Sequence, residues 1–117
     1  MDLKSHIGIR VRSARRRAGL TQAQLAEQVD KAVETISNIE RGHTQAGLET
    51  LEDLSKALGT PLIYFFEGYR PGLRISRKRA EAQQQLLDVF AKLPDEQIGV
   101  AIKLVEVLEA SRGARGK

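Results

Sequence analysis

The chain contains no cysteine, no tryptophan and a single methionine among its 117 residues. The missing thiols exclude disulfides, thiolate nucleophiles and cysteine-held metals. Aromatic side chains make up only 4% of the residues, so the 41% that are apolar must build a largely aliphatic core. No apolar run approaches membrane-spanning length, and the N-terminal stretch MDLKSHIGIR lacks the hydrophobic centre of a signal peptide. A cytoplasmic protein with no membrane partner is the default expectation. Catalytic chemistry is equally thin. His6 and His43 share no motif with the acidic residues, and neither a glycine-rich phosphate loop nor a metal-ligand spacing is present. The chain is therefore expected not to be an enzyme and to hold no metal or other cofactor.

An excess of one charge is also lacking. The first 66 residues carry 9 basic and 8 acidic side chains, and the remainder 10 and 7. Such a balance does not by itself point to nucleic acid. Within the first part, however, Arg10, Arg12, Arg15, Arg16 and Arg17 crowd one stretch. They form either a phosphate-facing patch or a merely solvated helix face.

What the chain does have is helical periodicity broken by clear stop signals. Leu3, Ile7, Val11, Ala14 and Ala18 fall on one face of a helix expected over Leu3 to Ala18, with Gly19 as its stop. The segment LTQAQLAEQVDKAVETISNIERG, Leu20 to Gly42, then reads as two short helices and a tight turn. Thr21 can cap the first of them while Gln24 reaches back in a capping box, and Leu25, Ala26 and Val29 form its apolar stripe. The turn lies around Asp30 and Lys31. In the second helix Ile36 and Ile39 share a side, Gly42 ends the run, and Glu34, Ser37, Asn38 and Arg41 project opposite the isoleucines. A helix with such a hydrogen-bonding outer face fits a DNA major groove. Leu48, Leu51, Leu54 and Leu58 predict a fourth helix closed by Gly59, and Thr60 and Pro61 open a fifth, Leu62 to Phe66.

The combination of VRSARRRAGLTQ, TQAQLA, TISNIERG and LETLEDLSKALGTPLIYFF resembles the phage-repressor and Cro-like (XRE-type) family of helix-turn-helix transcriptional regulators. The likeness covers roughly residues 5 to 66. It implies an all-α fold: a five-helix repressor-like DNA-binding domain, here followed by a C-terminal helical dimerisation extension. It also implies roles for single residues. Val33, Glu34, Ser37 and Asn38 match positions that meet base edges. Val33 suits a thymine methyl, Asn38 an adenine edge and Glu34 a cytosine amino group. Gln22 matches a phosphate contact at the start of the second helix, and Thr35, Arg41 and Thr44 are further phosphate candidates, with His43 beside them. Arg15 and Glu40 match a partly buried salt bridge between the first and third helices. The chain departs from the family at the turn, where Asp30, Lys31 and Ala32 replace the usual glycine, apolar residue and capping serine. Asp30 is expected to take over part of both the turn and the cap.

Beyond residue 66 composition changes. Residues 67–76, EGYRPGLRIS, read as a linker, followed by the basic run Arg74 to Arg79, which either touches flanking phosphates or is solvated. Residues 77–117 predict two helices, about Ser76 to Lys92 and Pro94 to Ala110, and a basic tail. The last helix carries an apolar arc wider than half its circumference, including Ile98, Ile102, Val105 and Leu108. One packing partner would not cover that arc. Together with Ile63 and Tyr64 of the fifth helix, these residues are expected to form a dimer interface. The function expected is thus a homodimeric repressor occupying an inverted-repeat operator in double-stranded DNA. The alternative is an antitoxin-like module whose C-terminal helices bind a partner protein.

Overall fold

A computed structural model describes residues 1–72 and 75–115, and all regular structure among them is helical. The helices are α1 (Leu3–Arg17), α2 (Gln22–Gln28), α3 (Val33–Glu40), α4 (Leu48–Leu58), α5 (Arg77–Ala91) and α6 (Asp95–Arg115), with a 3₁₀ turn at Leu62–Phe65 between α4 and α5. Arg74 of the basic run and Lys117 of the basic tail lie outside the described residues.

Local signals set the boundaries. Asp2 caps α1 by accepting from the Ser5 amide at 3.0 Å. Thr21 and Gln24 close both halves of a capping box on α2, at 3.0 and 2.9 Å, which satisfies an otherwise orphaned amide at the helix start. Asp30 sits in the left-handed region at φ 54°, the conformation the α2–α3 turn demands and one that Asp tolerates better than most residues. The expected second job of Asp30 is not performed. The N-cap of α3 is Ala32, which has no polar side-chain atom and makes no side-chain cap bond.

Residues 1–85 form one unit. Its core gathers Ile7 and Val11 from α1, Leu25 from α2, Ile36 and Ile39 from α3, Leu51 and Leu54 from α4, and Phe65, all almost inaccessible to water. Each of these aliphatic side chains contributes roughly 1.5–3 kcal/mol by leaving water. Leu48, expected to pack with them, is 75% exposed, because it occupies the first turn of α4 and the core is reached only from Leu51 onward. The expected fifth helix is a single 3₁₀ turn. With three residues per turn its side chains splay apart, so Phe65 is fully buried while Ile63 remains 67% exposed.

Tyr64, the other residue of this turn expected at a dimer interface, is half-buried. Its ring lies under the guanidinium groups of Arg10 and Arg17, at 3.8 and 4.6 Å, and its hydroxyl donates to Ser13 Oγ at 3.0 Å. Cation–π stacking covers the ring from within the same unit.

The unit's tightest polar knot joins α1, α2 and α3. Arg15 of α1 grips Glu40 of α3 in a two-pronged ion pair, Nε to Oε2 at 2.7 Å and Nη2 to Oε1 at 3.0 Å. Gln22 of α2 donates to the same Oε1 at 3.0 Å, and Arg15 Nη1 donates to the Leu20 carbonyl at 2.8 Å. Only 2% of the Glu40 side chain is exposed. Nearby, Gly8 lets α1 press on the end of α3: a Cβ there would meet the carbonyl oxygen of Ile39 and stand 2.7 Å from that of Glu40.

The first part of α5 belongs to this unit, although by composition the chain changes character at residues 67–76. Glu81 faces Arg12 at 4.0 Å, and Gln84 accepts from Arg10 Nη1 at 2.8 Å. The second unit, residues 86–117, holds the end of α5, the turn at Pro94 and α6. α6 starts at Asp95, one residue after Pro94, whose carbonyl accepts from the Gln97 amide at 2.9 Å, and it runs past Ala110 to Arg115. Its large apolar side chains are unburied: Ile102, Leu104, Val105, Val107 and Leu108 are all exposed.

Two predictions follow from these contacts. Arg15→Met leaves the Glu40 carboxylate buried without its cation, and is expected to lower unfolding free energy by about 3–5 kcal/mol in urea titrations. The pair replacement Arg15→Met with Glu40→Leu is expected to recover most of that loss; an equal loss in both variants would contradict a charge-desolvation origin. The second concerns His6, half-buried, whose Nε2–H donates to the Glu67 carbonyl at 2.8 Å. Burial, helped by the Arg10 charge and opposed by that hydrogen bond, holds its pKa below the ordinary 6.5. The folded state then binds fewer protons than the unfolded one, so this stabilisation is complete above the ordinary value and fades as pH falls through the depressed one. Thermal midpoints measured between about pH 7 and about pH 5 should fall more steeply for the wild type than for His6→Gln.

Candidate nucleic-acid interface

α3 divides cleanly into two faces. Ile36, Ile39 and the Glu40 carboxylate point inward and are buried. Outward stand Val33, which is 47% exposed, Glu34 and Arg41, with Thr35, Ser37 and Asn38 half-buried at the edges. The period of the helix and the ion pair of Glu40 together fix which side looks out. The outward face bears a methyl-rich side chain, a carboxylate, a hydroxyl and an amide within two turns. These are the group types that distinguish base pairs in a major groove.

Within that face one contact is already made. Arg41 Nη2 donates to Asn38 Oδ1 at 3.0 Å. A guanidinium can only donate, so Asn38 must turn its oxygen toward Arg41 and its amide nitrogen away. Arg41 therefore meets Asn38, while Glu34 takes part in no ion pair among the described residues.

Past α3 the chain folds back tightly. Gly42 adopts φ 75°, a left-handed conformation that glycine enters without strain, and is itself buried. The amides of His43 and Thr44 both donate to the Asn38 carbonyl, at 2.9 and 3.4 Å, which holds these two exposed residues beside the end of α3. Gln22, half-buried at the start of α2, spends its side-chain amide on Glu40, so it locks α3 from the inside.

The arginine cluster of α1 separates in space. Arg10 donates Nε to the Tyr64 carbonyl at 2.8 Å and Nη1 to Gln84, Arg12 faces Glu81, and Arg15 holds Glu40. Arg10 and Arg15 are thus spent within the unit, Arg12 is partly exposed beside Glu81, and Arg16 and Arg17 are exposed. The basic residues that open α5 divide likewise: Lys78 and Arg79 are exposed, whereas Arg77 turns onto the Glu40 carbonyl. Two participants were not singled out from the sequence, Gly8 and Arg77. Arg77 stands 37 positions from Glu40, and no local pattern connects them. The small residue at position 8, on a helix face otherwise carrying Ile and Val, is a hint of close approach. No group of three or more potential metal ligands occurs among the described residues. No described helix is long and apolar enough to cross a membrane.

Comparison with known proteins agrees with this geometry. A family model described as helix-turn-helix matches residues 11–65. An HTH-type transcriptional regulator of Sinorhizobium medicae (strain WSM419) is 28% identical over 120 aligned positions, spanning 90% of this chain and 85% of the relative. A transcriptional regulator in the ATPase CF(0) region of Rhodospirillum rubrum is 35% identical over 68 positions, 58% of this chain and 63% of that one. Among solved structures, the clp gene regulator ClgR of Corynebacterium glutamicum superposes with a TM-score of 0.56 at 25% identity, covering 79% of this chain and 89% of its own. A second ClgR structure gives 0.55 at 29% identity over 56% and 86%. Residues 11–65 are a helix-turn-helix segment of the phage-repressor and Cro-like type, shared with the transcriptional regulators to which the chain is similar.

Proposed function

We propose that this regulator is a homodimeric repressor that acts by occupying an inverted-repeat operator, with no bond made or broken. The observation that carries the reading is the outward face of α3, held rigid from behind by the Arg15–Glu40–Gln22 knot and equipped for base edges. In this proposal Val33 packs on a thymine methyl and Asn38 reads an adenine. Glu34 accepts from a cytosine amino group, and Ser37 supplements them. Thr35, Arg41 and Thr44 flank the reading residues and serve the phosphates, which set register rather than sequence. Gln22 stands at the same edge, and its packing against Glu40 supports a role in orienting α3 alongside any phosphate contact.

The homodimer is supported by the second unit. Ile102, Val105 and Leu108 are 48%, 41% and 71% exposed, and Ile98 is half-buried, so α6 offers a long apolar strip. Water contact along such a strip is unfavourable by about 25 cal/mol per Å². A second copy of the same helix would cover it, with Ile63 as a lesser contributor from the first unit. A two-fold dimer sets two copies of α3 about 34–36 Å apart, one turn of DNA, which favours inverted repeats. The same strip also suits a heterologous protein, as in an antitoxin-like module; that arrangement predicts a monomer when the chain is alone.

Anisotropy titrations against the duplex upstream of the protein's own gene, with a scrambled duplex as reference and a salt series, test the reading. Asn38→Ala is expected to weaken native-duplex binding by about 1–3 kcal/mol and leave scrambled binding unchanged. Arg41→Ala should weaken both duplexes and reduce the salt slope by about one. Equal, salt-erased binding of the wild type to both duplexes would count against this operator. Sedimentation should give twice the chain mass of 13.0 kDa for the wild type, and Val105→Glu should return it to one. A wild type that sediments as a monomer would favour the heterologous partner.

A further inference from the structure

At the end of α3 one carbonyl takes its donor from a distant side chain. The last carbonyls of a helix have no partner within it and must find one elsewhere. Ser37 accepts from the Arg41 amide, Asn38 from the His43 and Thr44 amides, and Ile39 from the Gly42 amide. The Glu40 carbonyl accepts instead from Arg77 Nη2, the first residue of α5. Arg77 Nη1 also reaches the Ser5 carbonyl at 3.4 Å, and Nε pairs with Glu81 at 3.1 Å, so three groups aim one guanidinium. Its positive charge lies at the negative end of the α3 dipole, where it stabilises the helix. Opposite, Gly8 brings the α1 backbone against the same carbonyl, and Ser5 and Arg77 together roof the buried Gly42.

We infer that Arg77 is a positioning residue for DNA reading: it fastens the last carbonyl of the reading helix to α5 and thereby sets the pose of Val33, Glu34, Ser37 and Asn38. The residue lies outside the matched helix-turn-helix segment, which ends at 65. Arg77 is the first residue of α5, so the helix that follows the matched segment is the one that grips α3. Arginine suits the task through its fixed fork of donors, which a lysine reproduces only in charge. The inference rests on the DNA-reading role proposed above and deepens it.

The test begins with selection of duplexes from a random-sequence pool by the wild-type full chain. The selected and a scrambled duplex are then titrated with Arg77→Met, Arg77→Lys and, as a charge control, Lys78→Met, all at a temperature where circular dichroism shows each variant folded. Arg77→Met is expected to bind the selected duplex roughly tenfold more weakly, with scrambled binding at low salt unchanged. Arg77→Lys should recover part of the loss, and Lys78→Met should leave the ratio of the two affinities at the wild-type value. Without DNA, amide hydrogen exchange at Arg41 to Thr44 should quicken in Arg77→Met and not in Lys78→Met. Wild-type selection that enriches no sequence would remove the DNA-reading role and this inference with it. Enrichment followed by Arg77→Met binding as the wild type does, or losing both duplexes equally, would overturn the inference alone. If Arg77→Met does not fold, Arg77→Lys carries the comparison, and a wild-type affinity ratio in that variant overturns it.

Discussion

The buried carboxylate of Glu40 is the constraint around which the DNA-binding unit is organised. Taking an isolated carboxylate out of water costs several kcal/mol, and the cost is offset only where geometry is good and both oxygens are satisfied. Here Arg15 contacts both oxygens and Gln22 adds a third bond, at distances between 2.7 and 3.0 Å. Three helices must therefore hold one mutual arrangement for the charge to be tolerated. An apolar cluster at the same place would tolerate sliding and rotation, because dispersion and burial are non-directional. The ion pair adds direction, and direction fixes which face of α3 looks outward.

Glu40 is held through its backbone as well as its side chain. Gly8 admits the α1 backbone to within a distance that any Cβ would forbid, and Arg77 takes the carbonyl from the other side. The inner surface of α3 is thus pinned at its C-terminal end, while Ile36 and Ile39 anchor its middle in the aliphatic core. With so few aromatic side chains, the unit relies on Phe65, Tyr64 and this polar knot for the specificity that bulky rings supply elsewhere. Tyr64 contributes by giving Arg10 and Arg17 a surface to lie on, which keeps an arginine-rich helix packed.

Helix boundaries and most of the core faces of α1 to α4 were legible in the sequence because they are local, with Ala18 and Leu48, at the ends of their expected helices, exposed instead. Thr21 and Gln24 announce a capping box within four residues, and Leu25, Ala26, Ile36 and Ile39 repeat at helical spacing. The outward residues of α3 follow from the same periodicity. What was not legible depends on distant neighbours. The fates of Arg10, Arg12 and Arg77 are decided by Tyr64, Glu81, Gln84 and Glu40, far away along the chain. An arginine in a basic run looks the same in sequence whether it faces phosphate or closes a helix end. Asp30 shows a finer limit: its backbone accepts the left-handed turn, but φ says nothing of where the carboxylate goes, and the cap expected of it is absent. Tyr64 shows the converse. It was expected at a dimer interface, and no local pattern announced the two α1 cations that stack on its ring.

The two faces of α3 also differ in how much energy is committed to them, and that difference suits the proposed DNA-reading role, in which the outer face exchanges its own contacts for base edges. Behind it, a charge pair with 2% and 11% exposed partners cannot be opened without stranding a carboxylate. In front, the one contact within the reading set is the exposed Arg41–Asn38 hydrogen bond. A solvent-exposed contact of this kind is worth no more than about 1 kcal/mol, whereas a good base contact is worth about 1–3 kcal/mol. Exchanging the first for the second is favourable, and it requires only rotation of side chains already at the surface. Before exchange, the Arg41 bond keeps the Asn38 amide in one orientation, which lessens the entropy lost on meeting a base edge. The rigid back and the lightly held front are therefore parts of one arrangement: the knot at Glu40 fixes the pose of α3, and in the proposed DNA-reading role discrimination between sequences falls on a few side chains in front.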